Sequence, residues 1–450
     1  MGEIERSQSI VSETVILVGV VLPDNADRFD DLDELERLVD AAGAVPVAKM
    51  VQRRETPSAN SYLGKGKVEE LALLVETCKA DVIVFDNELS PAQVRSLEQA
   101  TKVKVLDRTE LILDIFASHA QTYEARLAVE LAQLEYSLPR LKRMWTHLSR
   151  LKMGIGMRGP GEKQLEVDRR LVEKRIHDLK TELQKIEKRK ERTVAARQDQ
   201  MTVSLVGYTN AGKSTLMNTL TDAHVKAQDQ LFATLDTRTR RWQLPQWGPV
   251  LLSDTVGFIR DLPHRLIASF KATLEEARQT DLLLHVCDAS NPAVLDQITA
   301  VFHVLEELDI EEKDAVLVIN KIDQPEAKER VTLIKSRYPH AVAVSAKTGE
   351  GLERLAHVVS DALSRSFRDV DIITGVENGK LMAYVAAHGE VKSRNFNGNE
   401  VTIHCRLPQK FLGKIHDPTA IIRDHQTQEI IWPRPSEEDD LGAPTMEDVA

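Results

Sequence analysis

The chain has 450 residues, enough for about three domains of ordinary size. Hydrophobic residues make up 42% of it and charged residues 29%, a balance that is typical of folded globular proteins and excludes disorder of the whole chain. Its 59 lysines and arginines stand against 70 aspartates and glutamates, so the net charge is -11. An acidic chain of this kind is not expected to bind nucleic acid nonspecifically over its whole surface, and we expect no DNA partner.

The three cysteines, Cys78, Cys287 and Cys405, lie far apart in the chain. They form no local disulfide framework or metal clamp, which indicates a reducing compartment. No apolar run approaches the ~20 residues that span a bilayer, and the polar N-terminus is unlike a signal peptide. We therefore expect a cytoplasmic monomer without an integral membrane segment, and nothing in the sequence supports peripheral membrane association.

Residues 1–121 alternate short apolar runs with helical stretches. This pattern predicts a small α/β domain, in which helices cover a parallel sheet. The expected strands are Val15–Leu22, Val82–Phe85 and Val103–Leu106, and the expected helices are Asp31–Ala42 and two that begin near Val68 and Ser90.

A heptad pattern defines a second region, residues 122–200. Apolar residues recur at alternating spacings of four and three, first over Leu127–Leu148 and again over Val172–Ile186. Two such stretches joined by a loop predict an antiparallel helical hairpin, in which each arm buries the other. From Arg140 to Gln200 the chain carries 18 lysines and arginines against 9 acidic residues, so this region is a basic island on an acidic protein.

The hairpin tip, Gly154–Gly161, contains four glycines. It matches the G-x-G-x-x-G dinucleotide pattern, but a helix rather than a strand precedes it, so that interpretation fails. A glycine-rich loop with Lys152, Arg158 and Lys163 is suited to close approach against folded RNA. The alternative is a solvated hairpin with a flexible tip, since charge runs on helices are usually soluble faces.

The sequence of residues 201–366 predicts a domain with a mixed sheet and helices on both faces of the sheet. The strand Met201–Val206 runs into Gly207-Tyr208-Thr209-Asn210-Ala211-Gly212-Lys213-Ser214, and a helix follows. This is the G-x-x-x-x-G-K-S phosphate-binding loop, or P-loop, in the context that it requires. We expect its N–H groups to form an anion cradle, Lys213 to reach the β- and γ-phosphates, and Ser214 to ligate Mg²⁺.

Three further motifs follow buried strands at their carboxyl ends, where open α/β sheets bind ligands. In the DxxG motif we expect Asp254 to hold Mg²⁺ through water and the Gly257 N–H to sense the γ-phosphate. In the NKxD motif the Asp323 carboxylate can accept two bonds from guanine donors that adenine lacks. A third backbone segment is expected to meet guanine O6. The motifs are Asp254-Thr255-Val256-Gly257, Asn320-Lys321-Ile322-Asp323 and Ser345-Ala346-Lys347, and together they predict a site for GTP and GDP.

Between the P-loop helix and the next strand lies the segment Phe232-Ala233-Thr234-Leu235-Asp236. A threonine here can reach Mg²⁺ in the triphosphate state and release it after hydrolysis, which makes the segment an order–disorder switch. We take Thr234 as that residue, with Thr237 and Thr239 as alternatives. Thr234 is expected to act in catalysis together with Lys213 and Gly257.

Many GTPases place a glutamine after the DxxG glycine, where it orients the attacking water. Here that residue is Phe258, which cannot hydrogen-bond water. We therefore predict slow hydrolysis by the protein alone and faster hydrolysis when a partner completes the site. Asn210 is a candidate for holding K⁺ beside the phosphates, and the alternative is that it only tolerates a turn conformation.

The remaining residues are predicted as a small α+β domain, 367–435, and an acidic tail, 436–450. Leu381–Ala386 and Val401–Arg406 read as strands around an Asn397-Gly398 turn, the strongest short hairpin signal. The tail carries six acidic residues and no basic one, and we expect it to be disordered.

With these motifs assembled, the chain resembles the HflX family of GTPases, in the Obg–HflX group. The resemblance covers most of the chain, although the C-terminal residues carry little of it. One departure is Thr237, where the family commonly has proline. The matching segments are Leu111–Phe116, Gly154–Glu162 with Gln164–Glu166, Val206–Thr215, Leu231–Asp236 and Asp254–Ile259.

The resemblance implies a GTPase that docks on the large ribosomal subunit and splits stalled ribosomes, notably under heat stress. It also implies that the P-loop, the Phe232–Asp236 segment and the three later motifs contact GTP, with Ser214 and Thr234 on Mg²⁺. One alternative is an assembly factor that acts on immature large subunits without splitting. Another gives Gly64–Lys67 an ATP site, but the segment lacks P-loop spacing and a plain basic turn is favoured.

Overall fold

The computed structural model describes residues 13–23, 32–144, 160–196, 200–221, 238–245, 248–259, 277–278, 280–307, 315–365, 367–415 and 417–432. The chain divides into two compact units. The first comprises Met1–Ala195, Thr202–Trp242 and Leu251–Leu352, and the second comprises Ala196–Met201, Gln243–Val250 and Glu353–Ala450. Within the described ranges, no helix combines the length and the apolar character that crossing a bilayer requires.

The first unit starts with a four-stranded parallel sheet, as predicted. Its strands are β1 (Thr14–Val21), β2 (Val45–Arg53), β3 (Val82–Phe85) and β4 (Lys104–Asp107), and its helices are α1 (Asp33–Ala41), α2 (Lys65–Cys78), α3 (Pro91–Thr101) and α4 (Arg108–His119). The strand order is β2-β1-β3-β4. Strand β2 was not predicted, because as an edge strand it is mostly exposed and lacks the continuous apolar run of β1 and β3.

Short polar signals fix where these helices begin. Ser90 and Gln93 form a reciprocal capping box at the start of α3, and Pro91 occupies the first helical position. The Asp107 carboxylate accepts a hydrogen bond of 2.9 Å from the Glu110 N–H and so caps α4.

The predicted hairpin is formed by two long helices, α5 (Tyr123–Met144) and α6 (Pro160–Ala196). Leu127 and Leu131 of α5 are buried together with Leu179 of α6, which confirms the seam that the heptad pattern predicts. At the surface, the Arg175 guanidinium donates two hydrogen bonds of 2.7 Å to the Glu130 carboxylate. Residues 145–159, and with them Lys152 and Arg158, lie outside the described residues, as does the Lys163 side chain.

A six-stranded sheet follows, and it is mixed, with helices, as predicted. Its strands are β5 (Thr202–Gly207), β6 (Arg238–Leu244), β7 (Gly248–Asp254), β8 (Leu282–Asp288), β9 (Ala315–Asn320) and β10 (Val342–Ala343). The helices are α7 (Lys213–Leu220), α8 (Val294–Glu307), α9 (Ala327–Arg337) and α10 (Leu352–Ser364). The strand order β10-β9-β8-β5-β7-β6 brings the carboxyl ends of β5, β7 and β9 to one edge.

One apolar cluster of the first unit joins the two sheets. It includes Leu35 and Phe116 from the N-terminal helices and Ala128 from α5. From the six-stranded sheet and its loops it includes Tyr208 and Phe258. The P-loop and the residue after the DxxG motif therefore share a core with the N-terminal domain.

The second unit contains a five-stranded antiparallel sheet. Its strands are β11 (Phe367–Gly375), β12 (Glu390–Asn397), β13 (Glu400–Pro408), β14 (Ile421–Asp424) and β15 (Ile430–Trp432), with helices α11 (Gly379–His388) and α12 (Gln409–Leu412). The order is β12-β13-β11-β14-β15. These strands and helices confirm the predicted α+β class.

One expectation for this unit is wrong. Leu381–Ala386 lies in helix α11 and not in a strand, whereas Val401–Arg406 is a strand as predicted. The Asn378 side chain accepts a hydrogen bond from the Leu381 N–H and caps the helix, and Leu381 and Val385 are both buried, one helical turn apart. A short apolar run is compatible with either a strand or a helix, and here the Asn378 cap favours the helix.

Candidate functional site

The P-loop closes tightly around its lysine. Gly212 has a φ of +89°, and a Cβ there would lie 2.3 Å from the Asn320 Nδ2 atom, so only glycine fits. The Lys213 ammonium donates to the carbonyl oxygens of Gly207 (3.0 Å) and Tyr208 (2.9 Å). Burial lowers the pKa of Lys213 to about 8, and the charge of Asp254 opposes that shift.

Two side chains that carry oxygen ligands for a metal ion are in contact next to this lysine. The Ser214 hydroxyl donates a hydrogen bond of 2.6 Å to the Asp254 carboxylate, although the two residues are 40 positions apart in the chain. A hydroxyl and a carboxylate oxygen are ligands that Mg²⁺ accepts, either directly or through water. The residues present therefore fit the ion that the two motifs predict. Thr234, the third expected Mg²⁺ contact, lies outside the described residues together with Phe232, Ala233, Leu235 and Asp236.

The DxxG segment lies against the P-loop. A Cβ on Gly257 would meet Thr209 Cγ2 at 2.9 Å and Lys213 Nζ at 3.1 Å. The Phe258 N–H donates to the Gly207 carbonyl (3.0 Å), and the Phe258 carbonyl accepts from the Thr209 N–H (2.7 Å). The Phe258 side chain is only 4% exposed. Both backbone groups of Phe258 thus serve the loop, and its ring is part of the core.

Between these positions, the Thr255 hydroxyl donates to the Leu205 carbonyl at 2.7 Å, and Val256 is buried. Thr239, one of the alternatives to Thr234, lies in β6 with its hydroxyl 3.3 Å from that of Ser253.

The two base-recognition motifs are joined to the P-loop by Asn320. Its amide nitrogen donates to the Ala211 carbonyl (2.8 Å), and its amide oxygen accepts from the Ala346 N–H (3.0 Å). The Asp323 carboxylate accepts a hydrogen bond of 2.7 Å from the Ser345 hydroxyl and is exposed. The structure therefore brings three of the four predicted motifs together through one buried side chain, and Lys347 lies exposed beside them.

Sequence reasoning missed Asp288. This aspartate ends the buried strand β8, and it accepts a hydrogen bond of 2.8 Å from the Lys321 ammonium. Lys321 itself has a φ of +64°. A carboxylate at the carboxyl end of a buried parallel strand is a signal that could have identified Asp288.

Sequence reasoning also missed a polar link from the P-loop to the N-terminal domain. The Tyr208 hydroxyl donates to the Glu34 carboxylate at 2.6 Å, and the Arg108 guanidinium pairs with the same carboxylate at 2.9 Å. Arg108 is buried and also pairs with Asp86 at 2.6 Å. Nothing local in the sequence marks these partners, since Tyr208 and Glu34 are 174 positions apart.

Asn210 has a φ of +59°, the left-handed conformation that asparagine tolerates better than most residues. The turn interpretation of Asn210 therefore has a geometric basis. Ile322, which lies within the NKxD motif, is half-buried.

The parallel strands and the four motifs at their carboxyl ends define a P-loop GTPase of the guanine-nucleotide class. Four known domain families match successive parts of the chain. They are described as "GTP-binding GTPase N-terminal" (residues 30–117), "GTP-binding GTPase Middle Region" (119–197), "50S ribosome-binding GTPase" (202–321) and "HflX C-terminal domain" (332–413).

The chain is 46% identical to GTPase HflX of Lacrimispora saccharolytica over 410 residues, which cover 90% of this chain and 96% of that protein. It is 49% identical to GTPase HflX of Escherichia coli over 82% of this chain and 87% of that protein. The chain belongs to the HflX family of GTPases, and hydrolysis of GTP is its reaction. A solved GTP-binding protein from Sulfolobus solfataricus in complex with GDP is 23% identical, with a TM-score of 0.42 over 78% of this chain and 98% of that one.

Proposed function

We propose that this GTPase binds the large ribosomal subunit, hydrolyses GTP slowly alone and faster on the ribosome, and splits or rescues stalled ribosomes under stress. Two observations support ribosome binding. The family that matches residues 202–321 is described as a 50S ribosome-binding GTPase. The segment Arg140–Gln200 carries a net charge of +9 on a chain whose net charge is -11, as expected for a surface that meets RNA phosphates.

Phe258 is the observation that carries the kinetic part of the proposal. It occupies the position from which a glutamine orients water in many GTPases. Its ring is buried in the cluster shared with the N-terminal domain, and its backbone is bonded to the P-loop. A side chain held in this way leaves the attacking water without a partner from this position, so a ribosomal contact has to supply one.

The remaining chemistry is assigned to residues of the site. Ser214 and Asp254, joined in the triphosphate state by Thr234, would hold Mg²⁺, which would supply positive charge beside the phosphate oxygens. The Lys213 ammonium moves from the P-loop carbonyls to the phosphate oxygens, and the Gly257 N–H donates to the γ-phosphate. Asp323 and the Ser345–Lys347 backbone select guanine.

GTP hydrolysis with and without purified large ribosomal subunits tests this proposal. We expect stimulation of at least about 100-fold, the lower end of the range for one positioned catalytic group. Deletion of Gly154–Gly161 should abolish the stimulation and leave the basal rate unchanged. A matched control is Lys335→Ala, which removes one basic charge from helix α9, far from the hairpin in sequence, and should be stimulated normally. Equal turnover with and without subunits would contradict the proposal.

Splitting is distinguished from assembly by sedimentation of intact ribosomes. The protein is incubated with them in the presence of a non-hydrolysable GTP analogue. We expect a rise in free subunits, and the tip deletion serves as the negative control. If no subunits are released while the protein still sediments with large subunits, the assembly alternative replaces splitting.

We further propose that the Asn210 side chain holds K⁺ beside the phosphates. Because Asn210 has a left-handed backbone conformation, Asn210→Gly is a suitable test variant. Glycine adopts this conformation without strain, so the substitution keeps the turn and removes the amide side chain. Wild type should hydrolyse GTP faster in K⁺ than in Na⁺, and Asn210→Gly should not. Equal rates for wild type in the two salts would contradict a role for the cation.

The proposed setting for these activities is the cytoplasm, with the protein acting as a monomer bound to ribosomes. Its ribosome-bound fraction should rise with GTP and fall with GDP, because the triphosphate state is the one that orders the switch segment. Fractionation of cell extracts with each nucleotide measures this distribution.

A further inference from the structure

The sheet of the second unit places four side chains of metal-binding types, two aspartates and two histidines, on one face. Asp369 and Asp371 belong to the central strand β11, and their spacing of two residues puts them on the same face. His404 on β13 lies directly opposite Asp371 in the antiparallel pairing. His425 follows β14, and its N–H donates to the Asp369 carbonyl at 2.9 Å, which continues the pairing on the other side of β11. Three adjacent backbone segments thus hold the group.

The side chains are in close contact. His404 Nε2 lies 2.7 Å from Asp369 Oδ1, and His425 Nδ1 lies 2.9 Å from Asp371 Oδ2. The two imidazole rings stack, with centroids 3.7 Å apart and planes inclined by 16°. One nitrogen from each histidine and one carboxylate oxygen of Asp371 all lie within 4.8 Å of one another. Ligand atoms around a tetrahedral ion with bonds of about 2.1 Å lie about 3.4 Å apart, so an ion would draw these side chains closer together.

Asp369 has a different part in this arrangement. One of its oxygens is bonded to His404, and the other accepts a hydrogen bond of 3.0 Å from the Lys392 ammonium. A carboxylate on one ring nitrogen of a histidine fixes the ring and leaves the other nitrogen for an ion, which is the usual support of metal-bound histidines. Asp369 is therefore a positioning residue, and Nδ1 is the His404 atom left for a ligand bond.

The donor set selects the class of ion. Mg²⁺ and Ca²⁺ prefer oxygen ligands alone, whereas two imidazoles with one carboxylate suit Zn²⁺ and its neighbours in the first transition row. The group is partly shielded from solvent, since the side chains of Asp371 and His404 are 16% and 20% exposed, and His425 at 41% leaves a path for entry.

We propose that Asp371, His404 and His425 bind one divalent transition-metal ion, with water as a fourth ligand. The ion would connect β11, β13 and the segment after β14, which are already joined by backbone hydrogen bonds, the two histidine–aspartate contacts and the stacked imidazole rings. Its effect is then to stabilise the C-terminal sheet, separately from the nucleotide chemistry of the first unit.

Equilibrium dialysis of the full chain against Zn²⁺, followed by metal analysis, tests the site. Mg²⁺ and GDP are kept saturating, so that zinc does not compete for Ser214 and Asp254. Wild type should bind one zinc ion. His425→Gln should bind zinc at least about tenfold more weakly, which is the range for loss of a metal ligand or of the group that orients it. The matched control is His357→Gln on helix α10, an exposed histidine outside the cluster, which should bind as wild type does.

Thermal unfolding of the same proteins provides a second measurement. Zinc should raise the midpoint of wild type and His357→Gln but not of His425→Gln, and without zinc all three should unfold at similar temperatures. Visible absorption of the Co²⁺ form should show the same pattern. If the metal-free His425→Gln protein is itself unstable, Asp371→Asn replaces it, since the amide keeps the shape of the carboxylate.

Three outcomes would overturn the proposal. The first is that wild type binds no zinc. The second is that His425→Gln and Asp371→Asn bind zinc as wild type does, which would place the ion at other residues of the chain. The third is that Mg²⁺ or Ca²⁺ displaces zinc at similar concentration, which would exclude a site selective for transition metals.

Discussion

Substituting Tyr208 with phenylalanine removes a single hydroxyl that connects the P-loop to the N-terminal domain. That hydroxyl donates to the Glu34 carboxylate at 2.6 Å. Tyr208 is 5% exposed, so water cannot readily take the place of the lost donor. The substitution therefore measures what the buried link contributes to the stability of the first unit.

The magnitude follows from the contacts of Glu34. A hydrogen bond to a charged group typically contributes about 1.5–3 kcal/mol. The same Glu34 oxygen also pairs with Arg108 at 2.9 Å, so the carboxylate keeps a charged partner after the substitution. We therefore expect Tyr208→Phe to lower the free energy of unfolding by the smaller value, about 1.5 kcal/mol.

The chain contains a matched control. Tyr123 donates to Glu182 at the same distance of 2.6 Å, but Tyr123 is 63% exposed. Water replaces the donor there, so Tyr123→Phe should lower the free energy of unfolding clearly less than Tyr208→Phe does. Urea unfolding followed by circular dichroism compares both variants with wild type. Equal losses for the two substitutions would refute the argument, because the bonds differ in burial and not in length.

A double-mutant cycle identifies the partner. If the hydroxyl acts through Glu34, the costs of Tyr208→Phe and Glu34→Ala should not add, and the coupling energy should lie within about 0.5–1.5 kcal/mol. Additive costs would mean that the hydroxyl contributes to stability through a group other than Glu34.

Other substitutions test the hairpin and the nucleotide site. Leu179→Ala should cost about 2–5 kcal/mol in urea unfolding because Leu179 is fully buried, whereas Leu171→Ala on the same helix, 60% exposed, should cost under about 0.5 kcal/mol. Gly212→Ala should weaken GDP binding in calorimetry, because its Cβ would lie 2.3 Å from the Asn320 amide and a φ of +89° strains alanine. Asp323→Asn should weaken GDP binding about tenfold or more and improve binding of xanthosine diphosphate. Xanthine carries a carbonyl acceptor where guanine carries the amino donor, and an asparagine amide can donate to it. An unchanged preference for guanine would contradict the role of Asp323.

Motifs with a fixed local spacing could be predicted from the sequence. The P-loop requires a strand, eight residues and a helix, and Thr202–Gly207 and Lys213–Leu220 supply both elements. The heptads of the hairpin predicted a seam, and Leu127, Leu131 and Leu179 are buried in it. In each case the information lies within one stretch of chain, and so periodicity and motif spacing were sufficient.

Contacts that depend on chain folding could not be predicted. The Asn320 amide bonds Ala211, 109 positions earlier, and the Lys321 ammonium bonds Asp288, 33 positions earlier. The Asp371, His404 and His425 cluster has no motif spacing at all, because antiparallel register and not sequence distance brings its members together. Helix α11 shows the same limit on a smaller scale, since a run of apolar residues fits either period until the Asn378 cap is known.

Phe258 shows how the two kinds of information combine. The sequence establishes what this residue lacks, since a phenyl ring cannot hydrogen-bond water. The structure establishes where the ring lies: it is buried in the cluster that contains Leu35 and Phe116 of the N-terminal domain. Its backbone meanwhile exchanges hydrogen bonds with Gly207 and Thr209 of the P-loop. A displacement of the N-terminal domain would therefore act on the P-loop through the same residue that replaces the glutamine, because packed cores transmit strain rather than absorb it.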